Sequence, residues 1–363
     1  MSKKIIFDCE RMRYPNTGLY HFCLQLGKAL NNQAGREEEI GFYLPKAEKG
    51  IFGVDAKFVT HHFMQKYIFP GTRKVDLWHC TYQNSNYFPF RKNVPVVLTV
   101  HDLNFLYDSR QKKEKTDRLL KQLQDKINKA SHVVAISHYV LNDLEKHLSL
   151  KGKATSVIYN GCNVNDDIPI LDPDFTYDKP FLFTIGTIAE KKNFHVLPSL
   201  LKGNDLVLII GGIEQSKTYK QLIIEEAEKE GVSERLIFTG AISENDKRWL
   251  LSNCLAFVFP STAEGFGLPV IEAMYYGKPI FLSGCTSLPE IGGDCAYYFD
   301  NFEPDHMRHV LKTGLEEYKK NLPVEKIKTR GRSFSWETAA VQYFQVYRSL
   351  LAYLLIVLLR ADI

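Results

Sequence analysis

Short, almost wholly apolar runs recur along this chain, and each is followed by a polar or glycine-bearing loop. In the first half they are Ile5-Ile6-Phe7, Ile40 to Leu44, Leu77-Trp78-His79-Cys80, Val94 to Val100 and His132 to Ile136. A strand with one face in water alternates apolar and polar residues. Runs without that alternation are strands covered on both faces, as in a parallel sheet sandwiched by helices. Helical patterns at Leu19 to Leu30 and Ser109 to Ala130 fall between them. The alternation restarts at Phe181 to Ile185 and continues through Leu206 to Ile210, Leu236-Ile237-Phe238, Leu255 to Phe259 and Pro279 to Leu282. A further helix is expected after the loop at 186–193, with others at Lys217 to Glu230 and Glu244 to Asn253. The fold class is therefore α/β, with two doubly wound, Rossmann-like parallel sheets. A chain of 363 residues is too long for one ordinary core. Asn163 to Lys179 is rich in Asp and Pro and has no period, so it reads as a linker. The expected divisions are 1–165, a linker at 166–179, and 180–335.

With 45% hydrophobic and 24% charged residues, the composition is that of a globular soluble protein. A net charge of +4 is too weak to argue for nucleic acid. Seven scattered cysteines without a C-x-x-C pair imply reduced thiols in a cytoplasmic protein and argue against a cysteine-based zinc site. The opening MSKKIIFDCE has no apolar stretch long enough for a secretion signal.

The ligand-bearing edge of such a sheet is its carboxyl end, and the chemistry of this chain collects there. After Leu255 to Phe259 comes PSTAEGFGLPVIEAMYYGKP, with Glu264 in a loop and Glu272 about one turn into an expected helix over Gly267 to Tyr276. Gly265 and Gly267 permit a tight turn that bares amide N–H groups, an anion site at a helix N-terminus. Two carboxylates beside an anion site make sense if they accept from hydroxyls while the amides hold phosphates. A nucleotide sugar carries both groups, although a surface turn with solvated glutamates fits the same residues. Lys191 and Lys192 lie in the loop after the first strand of the second half, where a lysine meets a diphosphate as a point charge. His101-Asp102 ends what reads as the fourth strand, where the histidine can face a sugar hydroxyl and the aspartate either orients it or caps a helix. Gly18 stands at the entry of the first helix, as a close-approach point or a plain turn glycine. The segment Ser109 to Ala130 carries Lys112, Lys113, Lys115, Arg118, Lys121, Lys126 and Lys129. A solvated face is the favoured reading there and contact with anionic lipid the other. Asp172-Pro173-Asp174 reads as a turn rather than a metal-binding triplet, because proline is central and no strand precedes it.

The second half resembles the retaining glycosyltransferases of family 4, which have the GT-B fold. The resemblance is carried by GTIAEKKN (Gly186 to Asn193), FTGAISENDKRWLLSNC (Phe238 to Cys254), FPSTAEGFGLPVIEAMYYGKP (Phe259 to Pro279) and SLPEIGGDCAYYFD (Ser287 to Asp300). In the first half NTGLY, TVHDLNFL, VVAISHYV and VIYNG resemble acceptor-domain motifs, in matching order along nearly the whole chain. The resemblance implies two domains facing a cleft, with the segment 336–363 crossing back to the first.

It also implies transfer of a hexose from a nucleotide diphosphate sugar to an acceptor hydroxyl, with retention of configuration. Glu264 would hold the donor sugar. Gly265, Phe266, Gly267 and Leu268 would offer backbone amides, and Glu272 would accept from the ribose. Lys192 would neutralise the departing diphosphate, with Gly186 and Thr187 beside it and no metal or other cofactor. Thr239 and Gly240 would border the base, Gly18 would approach the phosphates, and His101 would lie near the reacting carbon. Asn16, Thr17, His101 and Asp102 fall on the acceptor side. Many relatives have arginine where this chain has Thr187, and some have proline where it has Glu190, which leaves Lys192 with a larger share of the charge. Thr187 also occurs in the subset that includes several O-antigen mannosyltransferases, so GDP-mannose is the first expected donor. A saccharide acceptor carried on lipid and peripheral work at the cytoplasmic face of the membrane follow as expectations. The apolar end, SLLAYLLIVLLRADI, is shorter than the roughly 20 residues of a span, so it anchors at the interface or packs on the first domain. A non-catalytic subunit of a glycan assembly system, or a nucleotide-sugar hydrolase or epimerase of the same fold, is the competing assignment.

Overall fold

The computed structural model describes residues 2–15, 17–66, 75–90, 93–107, 111–164, 169–173, 177 and 179–361. Two compact units emerge: Met1–Gly161 together with Ser335–Ile363, and Cys162–Phe334.

In the first unit the strands are β1 (Lys3–Asp8), β2 (Glu38–Leu44), β3 (Lys57–Thr60), β4 (Leu77–Cys80), β5 (Val96–Val100), β6 (His132–Ala135) and β7 (Ala154–Val157). Among the described residues they form one sheet in the order β3-β2-β1-β4-β5-β6-β7. Every pairing is parallel. The central β4 and β5 are buried along their whole length, as their unbroken apolar runs require. β3 escapes the sequence pattern because KFVT is exposed throughout at the sheet edge. His101 consequently follows the fifth strand of the chain, not the fourth.

The first unit also holds α1 (Gly18–Gln33), α2 (Lys113–Lys129) and α3 (His138–His147). Thr17 caps α1, its Oγ1 accepting from Tyr20 N–H at 3.2 Å. Most of the basic face of α2 is solvated, but Lys126 is not. Its Nζ donates to the carbonyls of Gln83 and Ser85, both at 2.7 Å, so this lysine fastens the helix to the loop after β4. Ser109, placed by the sequence at the helix start, lies outside the described residues.

The second unit contains β8 (Phe181–Ile185), β9 (Val207–Gly211), β10 (Leu236–Gly240), β11 (Ala256–Phe259), β12 (Ile280–Ser283) and β13 (Tyr297–Phe299). Their order is β10-β9-β8-β11-β12-β13, again parallel. Its helices are α4 (Lys217–Glu230), α5 (Glu244–Asn253), α6 (Leu268–Tyr275), α7 (Leu288–Gly292), α8 (Pro304–Asn321) and α9 (Val324–Arg332). After β8 the expected helix is wound as 3-10 over Phe194–Leu201, with Pro198 inside it lacking the donor an α-turn uses. Its Phe194, Leu197, Leu200 and Leu201 still seal one face of the sheet, against Leu208, Ile210 and Val258 and beside Ile223 of α4 and Met307 of α8.

The last helix, α10 (Trp336–Ala361), packs on α1 within the first unit. Trp336 meets Phe22 edge to face at 5.8 Å. Deeper in, Tyr347 OH lies 2.6 Å from His79 Nδ1, His79 Nε2 lies 2.8 Å from Thr99 Oγ1, and Thr99 Oγ1 lies 2.9 Å from Tyr343 OH. Side chains from Tyr353 onward are outside the described set, as are Asp174 and much of the expected linker. Among the described residues no helix is long and apolar enough to cross a membrane.

Candidate functional site

In an open parallel sheet, ligands bind beyond the carboxyl ends of the two strands where the order reverses. In the second unit those strands are β8 and β11, which pair through Ala256 with Leu182 and Phe257 with Phe183. The loops that leave them are 186–193 and 260–267, and they are stitched together. Thr262 N–H donates to Lys191 O at 2.9 Å, and Ser261 Oγ donates to the same carbonyl at 3.0 Å. Ser283 Oγ, from the end of β12, donates to Ser261 O at 2.5 Å. Ser287 Oγ donates at 3.0 Å to the carbonyls of both Glu264 and Phe266. Glu264 N–H donates to Thr286 Oγ1 at 3.1 Å.

This scaffold brings Lys192 and Glu264 together. Lys192 Nζ lies 2.5 Å from Glu264 Oε1, and their side chains are only 11% and 14% exposed. Ser261 Oγ donates to the same oxygen at 2.7 Å. The ammonium also sits 4.8 Å from the centre of the Phe259 ring. Burial pushes the Glu264 carboxyl up, but Lys192, Lys191 and the Lys192 and Ser261 hydrogen bonds outweigh it and hold the pKa below the usual value. Glu264 is thus an anion at neutral pH. One of the three ammonium protons is committed to it, leaving two for another acceptor.

Glycines shape the floor of this site. Gly212, at φ 127°, lies so close to the β8 loop that a Cβ there would fall 2.0 Å from Gly186 O. Its N–H donates to Gly240 O at 2.7 Å, which ties the loops after β8, β9 and β10 into one surface bearing Gly186, Thr187, Thr239 and Gly240. Gly267, at φ 112°, turns the chain into α6, which begins at Leu268. Phe266 is buried and packs edge to face on Phe334 at 5.6 Å. Gly265 lies between Glu264 and this ring.

Glu272 is buried inside α6, and its partners were not legible in the sequence. Lys247 of α5 reaches it at 3.2 Å, and Asn163 Nδ2 donates to its Oε1 at 2.8 Å. Glu244 adds a second contact to Lys247 at 2.9 Å. Asn163, read as the start of a linker, is therefore part of the second unit's polar core.

The remaining sequence candidates lie in the first unit. His101 follows β5 and is buried, with its N–H donating to Gln83 Oε1 at 3.0 Å and its Nε2 2.8 Å from Thr81 O. A carbonyl only accepts, so the proton is on Nε2 and Nδ1 is the ring's acceptor. Burial, with help from Arg11 and against the Thr81 bond, lowers the imidazole pKa to about 4. Asp102 does act as a turn cap, its Oδ1 accepting from Asn104 N–H at 3.0 Å. Thr17 and Gly18 open α1, and Asn16 lies outside the described residues. Asp8 ends β1 and is fully buried. Its Oδ1 and Oδ2 accept from Glu10 N–H at 2.9 Å and Ser85 Oγ at 2.8 Å. Burial first, and then Glu10, raise its pKa to about 8.

Two such sheets, with an ion-paired lysine and glutamate at the switch point of the second, define a nucleotide-binding α/β enzyme of the two-Rossmann-domain kind. Family comparison makes this specific. Residues 27–166 match the model described as Glycosyltransferase Family 4, and residues 172–329 match that of Glycosyl transferases group 1. The chain is 22% identical to O-antigen chain mannosyltransferase B of Escherichia coli over 96% of itself and 100% of that protein. It is 28% identical to the O-antigen chain mannosyltransferase RfbU of Salmonella typhimurium, over 59% of each chain. A 30% match to the Escherichia coli serotype-specific mannosyltransferase WbdA takes in 48% of this chain and 22% of that one. Among solved structures, sucrose-phosphate synthase from Thermosynechococcus elongatus superposes with a TM-score of 0.74 at 17% identity, over 97% of this chain and 100% of the other. Anabaena HepE in complex with UDP and glucose gives 0.71 at 18%, over 96% and 100%. The chain belongs to the family 4 glycosyltransferases and has their GT-B fold; it is a glycosyltransferase.

Proposed function

We propose that this enzyme transfers mannose from GDP-mannose to a hydroxyl of a lipid-linked saccharide in surface polysaccharide assembly, with retention of configuration. The observation that carries the reading is the Lys192–Glu264 pair at the β8/β11 switch point, in a chain whose relatives include O-antigen mannosyltransferases. Glu264 accepts from the donor sugar's hydroxyls. The two uncommitted Lys192 protons, with the amides of Gly265 to Leu268 at the start of α6, take the diphosphate as negative charge builds on it. The loops bearing Gly186, Thr187, Thr239 and Gly240 border the nucleotide, and Glu272 takes the ribose. In the first unit, His101 is neutral at physiological pH and offers Nδ1 as an acceptor for a sugar hydroxyl, with Thr17, Gly18 and Asp102 as that unit's other candidates. Stabilisation of the leaving group by lysine and amides makes the reaction independent of metal. Exposed Lys112, Lys113, Lys115, Arg118 and Lys121 on and beside α2 suit peripheral work on the anionic cytoplasmic face of a membrane.

A thermal-shift panel of GDP-, UDP-, ADP- and CDP-sugars tests the donor, since a bound ligand raises the melting temperature with its occupancy. GDP-mannose should give the largest shift. A larger shift with UDP-glucose would overturn the donor assignment, and a flat response to every nucleotide sugar would overturn the donor site itself. Transfer to a saccharide acceptor should persist in EDTA; loss restored by magnesium would refute metal independence.

A further inference from the structure

We infer that Lys247 is a positioning residue for the donor's ribose, acting through Glu272. This rests on the reading of Glu272 as the ribose acceptor. Lys247 stands in the first turn of α5, where a lysine ordinarily points to solvent, yet it is 8% exposed and Glu272 is 3% exposed. Its Nζ touches both carboxylate oxygens, Oε1 at 3.3 Å and Oε2 at 3.2 Å. Asn163 occupies a further site on Oε1. A carboxylate offers about four lone-pair positions, so the acceptor capacity still open lies mainly on Oε2. The lysine and the asparagine thus fix the plane of the carboxylate and leave one edge for a diol.

The charge matters as much as the orientation. A carboxylate this deeply buried is costly unless a cation faces it, and Lys247 is that cation. A charged acceptor held in this way makes the stronger bonds to ribose hydroxyls. Glu244, 61% exposed, contacts the same ammonium from the solvent side and does not touch Glu272. Among the described residues, Lys247 pairs with Glu272 directly and Glu244 acts through it. The fixed ammonium answers how a glutamate on an apolar helix face can serve as a hydrogen-bond acceptor.

The test compares binding of GDP and UDP with their 2′,3′-dideoxy counterparts, by calorimetry, in the wild type and in the variants K247Q, K247R, E244A and E272A. In the wild type the ribose form of the preferred nucleotide should bind about tenfold or more tighter than its dideoxy form, as expected for hydroxyls bonded to a charged acceptor. K247Q should collapse that ratio to within about threefold of unity, matching E272A. K247R should restore most of it, and E244A should leave it unchanged. A purely structural role for Lys247 predicts a different result: both nucleotide forms weaken together and the ratio survives in K247Q, which would overturn the proposal. If K247Q fails to fold, K247R still decides, since a ratio lost in a folded K247R with intact cation charge refutes positioning by charge. If E272A keeps the wild-type ratio, the ribose reading of Glu272 itself has failed, and this is distinguishable because the wild-type ratio then owes nothing to Glu272.

Discussion

Removing the ammonium from the Lys192–Glu264 pair should destabilise the second unit in a way that acid partly repairs. Lys192→Ala leaves Glu264 in the place it now occupies, 14% exposed, with Ser261 Oγ as its remaining side-chain donor. Breaking one side of a buried ion pair typically costs about 3–5 kcal/mol, because the surviving charge is left desolvated. The loss of the ammonium from above Phe259 adds up to about 1 kcal/mol. Glu264→Ala should cost less, about 1–2 kcal/mol, since a lysine stem can carry its charge outward to water. The double variant has no stranded charge, so it should be more stable than Lys192→Ala alone by about 1 kcal/mol or more. The sign with pH follows from the depressed pKa of Glu264 in the wild type. The stability its ionised form contributes is present above the ordinary glutamate pKa and is lost as pH falls through the depressed folded value. In Lys192→Ala burial acts unopposed by that partner, so the folded-state pKa rises. The deficit against wild type is then largest at neutral pH and shrinks as pH falls toward 5. Urea unfolding of the four proteins at pH 7 and pH 5 measures all of this. Costs that add within about 0.5 kcal/mol, or a deficit in Lys192→Ala unaltered by pH, would refute the argument that the pair organises the site. The same variant should bind nucleoside diphosphate about tenfold to a hundredfold more weakly.

The Gly212→Ala change should abolish nucleotide binding and destabilise the fold, because φ 127° and a Cβ 2.0 Å from a carbonyl oxygen leave no relaxed conformation; a melting temperature within a degree or two of wild type would contradict this. Gly186→Ala should be far milder for stability, since its Cβ meets only the Lys192 side chain, at 3.0 Å, yet it should weaken diphosphate binding by displacing the ammonium; calorimetry with GDP reads the difference. His101, with its pKa lowered to about 4, should show a flat imidazole NMR shift from pH 5.5 to 8, and a midpoint near 6.5 would place it in solvent instead. Its folded pKa lies below the unfolded value, so its contribution to stability is full above pH 6.5 and declines as pH falls toward 4, by about 1.4 kcal/mol per pH unit. Tyr347→Phe deletes a hydroxyl 2.6 Å from His79 Nδ1 and should cost about 1 kcal/mol or more by urea unfolding, without altering affinity for nucleotide.

What could be read from the chain divides along a physical line. Strands buried on both faces announce themselves, because nothing but apolar residues fits there, and β4, β5, β8, β9 and β11 fall within a residue or two of the runs that mark them. Strands at the edges of the first sheet do not. β3 is exposed along its whole length, and β7 is at best half-buried, so neither carries an apolar run. The switch-point loops were legible for another reason. Glycines, a lysine pair and spaced glutamates after an apolar strand are few enough in kind to point to a ligand, and the resemblance to family 4 rests on the same residues.

The partners of those residues were hidden because a buried ion pair leaves no mark on periodicity. Lys247 lies in ENDKRWLLSN, where a polar residue in the first turn of a helix is unremarked, and Glu272 lies 25 positions later. Lys126 shows the same masking in the first unit: counted by sequence with a solvated basic face, it is buried and holds two carbonyls. A charge in an amphipathic helix is read as exposed by default, and the default fails where the fold supplies a counter-charge or a pair of carbonyls out of sequence reach. Those exceptions are also where burying a charge demands compensation, so they are constrained more tightly than the exposed positions around them. In this enzyme the second glutamate of the glycine-rich stretch is such a case. It is held by a lysine from a neighbouring helix and an asparagine some hundred residues earlier, and the glutamate alone does not define its own surroundings.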